Sequence, residues 1–233
     1  MEESLTMHQG HRERIRKKFT SHGLDNFEDH EILELMLFYA VPRKDTNEIA
    51  HKLINTFGSI PAVFDAPINL LKEVDGVGEV AAVFIKLIPE LTRIYSERKF
   101  STSNHSLELK NLCDKLCLKF IGRTEEIVAI MLFDAKGKLI YDGIVNKGTV
   151  NAVDMYFRKI IELIVLYNAC SLILAHNHPS GFAVPSQADM DSTKQLSKIL
   201  HNMRVTFVDH IIVADGDYVS MRDCGFDAIF EDD

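Results

Sequence analysis

The chain is predicted to fold as an all-helical region followed by an α/β domain, a sheet with helices packed on it. Three observations predict this. Before residue 98, apolar residues recur at helical spacing. From residue 127 onward, apolar runs of strand length alternate with helical patterns. Between them Arg98-Lys99-Phe100-Ser101-Thr102-Ser103-Asn104-His105-Ser106 is polar and rich in small residues, the composition of a linker. The domains are therefore placed at residues 1–100 and 107–233.

In the first region Ile32-Leu33, Leu35-Met36-Leu37 and Ile49, Leu53-Ile54 supply the apolar faces, with turns at Gly23 and Val41-Pro42. The stretch from Leu70 to Ala82 has the form of a helix-hairpin-helix. Gly76, Val77 and Gly78 make its turn, and backbone N–H groups at the start of the following helix can hold a phosphate oxygen. Such a hairpin grips DNA by its backbone without reading sequence. Glu73, Asp75 and Glu79 surround the glycines where a strong DNA binder often places lysine, so a plain helix–helix turn is the competing reading. Arg12, Arg14, Arg16, Lys17 and Lys18 form a basic helical stretch, read either as a second nucleic-acid contact or as a solvated face. Residues 1–100 hold 13 Lys+Arg against 16 Asp+Glu, and the whole chain stands at −8. Nonspecific DNA affinity is accordingly expected to be weak or confined to a local patch.

In the second region Ile127–Phe133 and Lys138–Val145 read as strands joined by the turn Asp134-Ala135-Lys136-Gly137. Val153, Tyr156-Phe157, Ile160-Ile161 and Ile164-Val165 form one face of a helix that feeds the strand Ser171–Ala175. A helix over Ser186–His201 follows, with strands at Val205–Val208, Ile211–Val213 and Tyr218–Ser220.

The stretch His176-Asn177-His178-Pro179-Ser180-Gly181, followed by Pro185-Ser186 and Asp189, reads as a zinc site. Residues at i and i+2 of a strand point to the same side, so the two imidazoles converge and Asn177 between them points away. Pro185-Ser186 looks like a helix start whose first turn holds Asp189, which brings a third ligand. Two imidazoles and one carboxylate form a catalytic set, because the fourth tetrahedral position stays free. Ser186-x-x-Asp189 is also an ordinary capping pattern, and the two readings are compatible. Asp209-His210 are candidates for orienting a ligand histidine, against a strand-edge pair facing water.

The spacing His176-x-His178-x7-Ser186-x2-Asp189 resembles the JAMM (MPN or JAB) metallopeptidase motif, and HNHPSG with PSxxD is similar to its RadC branch, over nearly the whole chain. The resemblance implies a cytidine-deaminase-like sheet with flanking helices, zinc held by His176, His178 and Asp189, and Ser186 steadying the tetrahedral intermediate. It also implies an upstream glutamate as general base, which falls on Glu126 at the head of the run Ile127–Phe133, with Glu125 competing. The activity implied is hydrolysis of a peptide or isopeptide bond in a peptide or protein substrate. One departure concerns the segment before the metal strand, where the RadC pattern often has His-Pro-Arg and this chain has Asn151-Ala152-Val153-Asp154.

Composition excludes several classes. No apolar run reaches the 18 or so residues of a membrane span, and Met1-Glu2-Glu3-Ser4 is wrong for a signal peptide, so a cytoplasmic protein is expected. The four cysteines include no CxxC pair, which argues against a cysteine zinc site and against a nucleobase deaminase. The alternative to the hydrolase is a DNA-associated binding or repair accessory protein whose metal site is non-catalytic. A zinc phosphodiesterase is the third reading, weakened by the absence of lysine or arginine near the ligands.

Overall fold

The computed structural model describes residues 2–42, 44–102, 109–148, 153–179 and 181–230. Ser103–Ser106 of the expected linker, Asn151-Ala152 and Ser180 lie outside the described residues, as do the side chains of Val153 and Asp154. Two compact units form, Met1–Thr92 and Arg93–Asp233.

The first unit consists of α1 (Glu2–His22), α2 (Asp29–Ala40), α3 (Thr46–Phe57), α4 (Ile60–Asp65), α5 (Ile68–Glu73) and the first turns of α6 (Glu79–Thr102). Asp45 and Ser59 cap α3 and α4 by accepting from the N–H groups of Asn47 and Ala62. The core is built from Leu33, Leu37, Leu53, Leu71 and Ile85, all fully buried. Gly76 sits in the hairpin turn at φ 93°, and a Cβ there would lie 2.7 Å from Cγ1 of Ile49. That glycine is required by packing as well as by backbone conformation. Around the same turn Lys52 pairs with Asp75 at 2.8 Å, and Lys72 pairs with Glu79. Both nearby lysines thus answer the hairpin's own acids.

The basic helix is also largely occupied. The Arg12 guanidinium donates to the carbonyl oxygens of Val41, Pro42 and Lys44 at 2.9, 2.9 and 2.8 Å. It thereby pins α1 to the connection between α2 and α3. Lys17 pairs with Glu13 and Lys18 with Glu31. At the other end of the unit, α6 continues through Thr102, so Arg98–Thr102 are helical where a linker was expected. No glycine or proline interrupts them, and the Lys99 ammonium lies 5.7 Å from the centre of the Tyr95 ring one turn back.

The second unit carries α7 (Leu109–Phe120), β1 (Ile127–Phe133), β2 (Leu139–Lys147), α8 (Val153–Tyr167), β3 (Ser171–Asn177), α9 (Gln187–Asn202), β4 (Thr206–Ala214) and β5 (Asp217–Ser220). The five-stranded sheet has the order β2-β1-β3-β4-β5. It is mixed, with β3 and β4 parallel and the other pairs antiparallel. Alternation along the strands separates two cores. Val128, Ile130, Leu132, Leu172 and Leu174 face α8 and α9, whereas Ile127, Ala129, Met131, Ile173 and Ala175 face α7.

One correction bears on the site. The two strands expected at Val205–Val208 and Ile211–Val213 are one strand, β4, running straight through Asp209-His210. The polar pair is not at a wet edge: Asp209 is 0% and His210 2% exposed. Burial is tolerated because the Asp209 carboxylate accepts from Ser220 and from the backbone N–H groups of His210 and Arg222.

The cysteines give a direct check on this packing. Burial pushes the Cys113 thiol up to about 12 and the Cys117 thiol up to about 11, while Cys170 and Cys224 are exposed. Ellman's reagent should titrate two of the four thiols quickly in folded protein and all four in denaturant. Four fast thiols in the folded state would contradict the placement of α7.

Candidate metal centre

The centre is assembled where the carboxyl end of β3 meets the amino end of α9. His176 is the last but one residue of β3, on the face that α9 covers, and His178 follows just beyond the strand with its N–H bonded to the Val213 carbonyl at 2.8 Å. Ser186 caps α9 and Asp189 lies in its first turn, joined in a reciprocal capping box. The Ser186 hydroxyl and backbone N–H both donate to Oδ2 of Asp189, at 2.6 and 2.8 Å, while the Asp189 N–H donates back to Oγ at 3.1 Å. The same serine that starts the helix therefore fixes the carboxylate.

Three ligand atoms converge. Nε2 of His176 lies 2.9 Å from Nε2 of His178 and 3.0 Å from Oδ1 of Asp189, and Nε2 of His178 lies 3.4 Å from Oδ2. Ligands at zinc distances of about 2.0–2.1 Å in a tetrahedron stand about 3.3 Å apart, so this set closes around such an ion with shifts of a few tenths of an ångström. Among the described residues, His176, His178 and Asp189 are the group with metal-ligand geometry. Burial opposes ionisation of Asp189, but hydrogen bonding and charge from His176, with the two Ser186 donors, outweigh it and hold the carboxyl well below its usual range.

Proton positions follow from what can donate. The Asp189 carbonyl only accepts, so the Thr193 hydroxyl donates to it at 2.5 Å. The Thr193 oxygen then accepts from Nδ1 of His210, 2.6 Å away. Burial first, and His176 when protonated second, push His210 well below the usual histidine value, so the ring is neutral with a bare Nε2. That nitrogen accepts from Nδ1 of His176 at 2.8 Å, which leaves the lone pair of neutral His176 on Nε2, facing the other ligands. His178 is set in the same way: its Nδ1 donates to the Phe182 carbonyl at 3.1 Å, and Nε2 again carries the free lone pair. The arrangement fits a divalent cation of zinc type.

His210 reaches this face because β4 is irregular. Leu172 pairs with Phe207 but Ile173 pairs with Asp209, so Val208 is an extra residue in the ladder. Phe207 and His210 consequently share the α9 side although three residues apart, and Asp209 is turned to the opposite face. Of the expected pair, His210 orients a ligand and Asp209 does not.

Glu126 lines the small cavity that also holds His176, Asp189, His210 and Tyr156. Glu125 is exposed and lends only its backbone carbonyl, which accepts from Nδ2 of Asn177 at 3.1 Å. Asn177 does point away from the metal face, as its position in the strand requires, and its Oδ1 accepts from the Ile127 N–H at 2.8 Å. It thus ties the head of β1, and with it Glu126, to the strand bearing the ligands. Thr193 and the clamp by Asn177 were missed in the sequence. Thr193 stands four residues after Asp189 on α9, a spacing that places both on one helix face, and that was its only signal. Gly76, Val77 and Gly78 belong to the other compact unit, with Val77 buried and Gly78 in open space.

The buried His210 gives a pH prediction. Its folded value lies well below the ordinary 6.5 of the unfolded ring. As pH falls through that value, the unfolded state takes up a proton that the folded state refuses, so stability is full above about pH 6.5 and declines below it. Unfolding free energies of metal-free protein from urea titrations should fall by about 1 kcal/mol between pH 6.5 and 5.5, a slope lost in His210→Gln.

A mixed sheet carrying a His-x-His pair at a strand end, with an aspartate from the first turn of the next helix, defines a JAB-type metal domain. The family model of the RadC-like JAB domain matches residues 106–226. The chain is also 36% identical over 228 residues to a UPF0758 protein of Fusobacterium nucleatum subsp. nucleatum, a match covering 93% of this chain and 97% of that one. The protein belongs to the RadC-like JAB family. No helix among the described residues is long and apolar enough to cross a membrane.

Proposed function

We propose that the protein is a zinc-dependent hydrolase that cleaves a peptide or isopeptide bond. The observation that carries this reading is the convergence of three lone pairs on His176, His178 and Asp189, with His176 and Asp189 lining one cavity with Glu126. When bound there, zinc acidifies water and polarises a carbonyl as a Lewis acid. Glu126 takes the proton from the attacking water and delivers it to the leaving nitrogen. Ser186 holds Asp189 in place and, by turning its hydroxyl outward, can donate to the developing oxyanion. His210 and Thr193 keep His176 in the metal-binding tautomer. The helical unit presents the hydrolase to a protein partner or, through the Gly76–Gly78 hairpin, to DNA.

The test is zinc content by plasma mass spectrometry on tag-free protein, beside digestion of a mixed peptide and isopeptide library. About one zinc per chain with zinc-dependent new termini is the expected result. Zinc-loaded protein that spares every amide but cuts an oligonucleotide would replace this reading with a phosphodiesterase. Protein that takes up no zinc would leave the DNA-associated binding module.

A further inference from the structure

The loop between the ligands is apolar and stands in water. Residues 179–185 join His178 to the Ser186 cap of α9 and include no charged side chain, in a chain that is 26% charged. Phe182 is 85% exposed, more than any other large apolar residue described, and Val184 is 62% exposed. A single exposed apolar residue is ordinary. These two are set apart by the way the backbone holds them. The Phe182 carbonyl accepts from Nδ1 of His178 at 3.1 Å and from the Val184 N–H at 2.8 Å. The second bond closes a three-residue turn at Ala183, and Pro185 then leads the chain into the cap with its φ fixed. Shifting this backbone to bury Phe182 would break the bond that sets the His178 tautomer.

The place of the loop says what covers it. Phe182 lies four residues after one ligand, and its backbone carbonyl meets the far side of the imidazole whose Nε2 faces the metal position. An extended peptide advances about 3.3 Å per residue, so a substrate whose scissile amide reaches the metal brings side chains alongside the loop within about two or three residues of that bond. With no charge on the loop, an acidic or basic side chain of the substrate finds no counter-ion there. An aromatic or branched aliphatic one sheds water together with Phe182 and Val184. Loops positioned by a rigid scaffold are where binding residues are displayed, and here β3 and α9 hold the two ends of this one.

We propose that Phe182, with Val184 beside it, is the specificity-determining contact of the metal site and receives a large apolar side chain of a peptide or protein substrate near the scissile amide. This assignment rests on the hydrolase reading above and adds the substrate's apolar residue to it. The probe is a randomised library of blocked peptides about nine residues long, selected on full-length Glu126→Gln protein incubated with zinc. Retained peptides should be enriched in Phe, Tyr, Leu or Ile at one position. Phe182→Ser in the same background should abolish the enrichment and weaken binding of a selected peptide by about tenfold or more, with zinc content and circular dichroism unchanged. Phe182→Leu should restore most of the binding. Retention without apolar enrichment, no retention at all, or enrichment that survives Phe182→Ser overturns the proposal. So does a sedimentation mass that is twice 26.4 kDa for wild type and single for Phe182→Ser, because a second copy would then cover the patch. Cleavage of the selected peptides by wild-type protein separates this contact from the activity. Enrichment without cleavage removes the hydrolase and leaves the peptide contact, whereas cleavage that ignores apolar residues keeps the hydrolase and removes the contact.

Discussion

Glu126→Gln is expected to keep about one zinc per chain and to lose amide hydrolysis by about 10²–10⁴-fold, the usual worth of a general base. The reason lies in position. Glu126 shares its cavity with His176 and Asp189 but is not one of the converging ligand atoms, so the neutral isostere leaves the ion's donors intact. It removes the acceptor for the water's proton and the donor to the leaving nitrogen at once. Because the head of β1 is held by Asn177 through backbone groups, the amide should occupy the same place as the carboxylate. Zinc content and turnover must be measured on the same preparation. Retained hydrolysis with zinc bound would move the base elsewhere, and Glu125→Gln is then the variant to compare.

Asp189→Ala is expected to take zinc from about one per chain to none, and Asp189→Asn separates the two jobs of this side chain. The carboxylate is placed to act as a ligand beside both histidines, and it is half of the capping box through Ser186. Alanine removes both, so the metal-free variant should also lose about 1 kcal/mol of stability, the worth of a helix cap. Asparagine keeps an oxygen that accepts from Ser186, so its metal-free stability should stay near wild type. Its neutral amide is a poor zinc ligand, and uptake should still be strongly weakened. Equal zinc content in all three proteins would remove Asp189 from the site.

The parts of the centre that follow local rules were legible in the chain. Two histidines at i and i+2 must share a side of a strand, and Ser186 with Asp189 three residues later must form a cap; neither needs the rest of the molecule. The same holds for β1, whose bounds Ile127–Phe133 were readable as an unbroken apolar run buried on both faces. The strand break expected at Asp209-His210 failed because two consecutive polar residues within an apolar run look like a break between strands. Only the pairing of β4 with β3 supplies the partners that let them be buried. Arg98–Thr102 failed in the opposite sense, since a polar composition fits a linker and a solvated helix alike.

What the sequence determined by itself, then, is the candidate ligand set, the capped helix that delivers Asp189, and the order of helical and sheet regions. These depend on periodicities of 2 and 3.6 and on contacts within a few residues. The tertiary structure alone decided that His210 meets His176. One extra residue in the β4 ladder at Val208 reverses the side to which every later residue points, and strand register is set by the neighbouring strand rather than by the residues themselves. With that reversal Thr193, His210 and His176 join into a chain of hydrogen bonds that leaves the His176 lone pair facing the metal position.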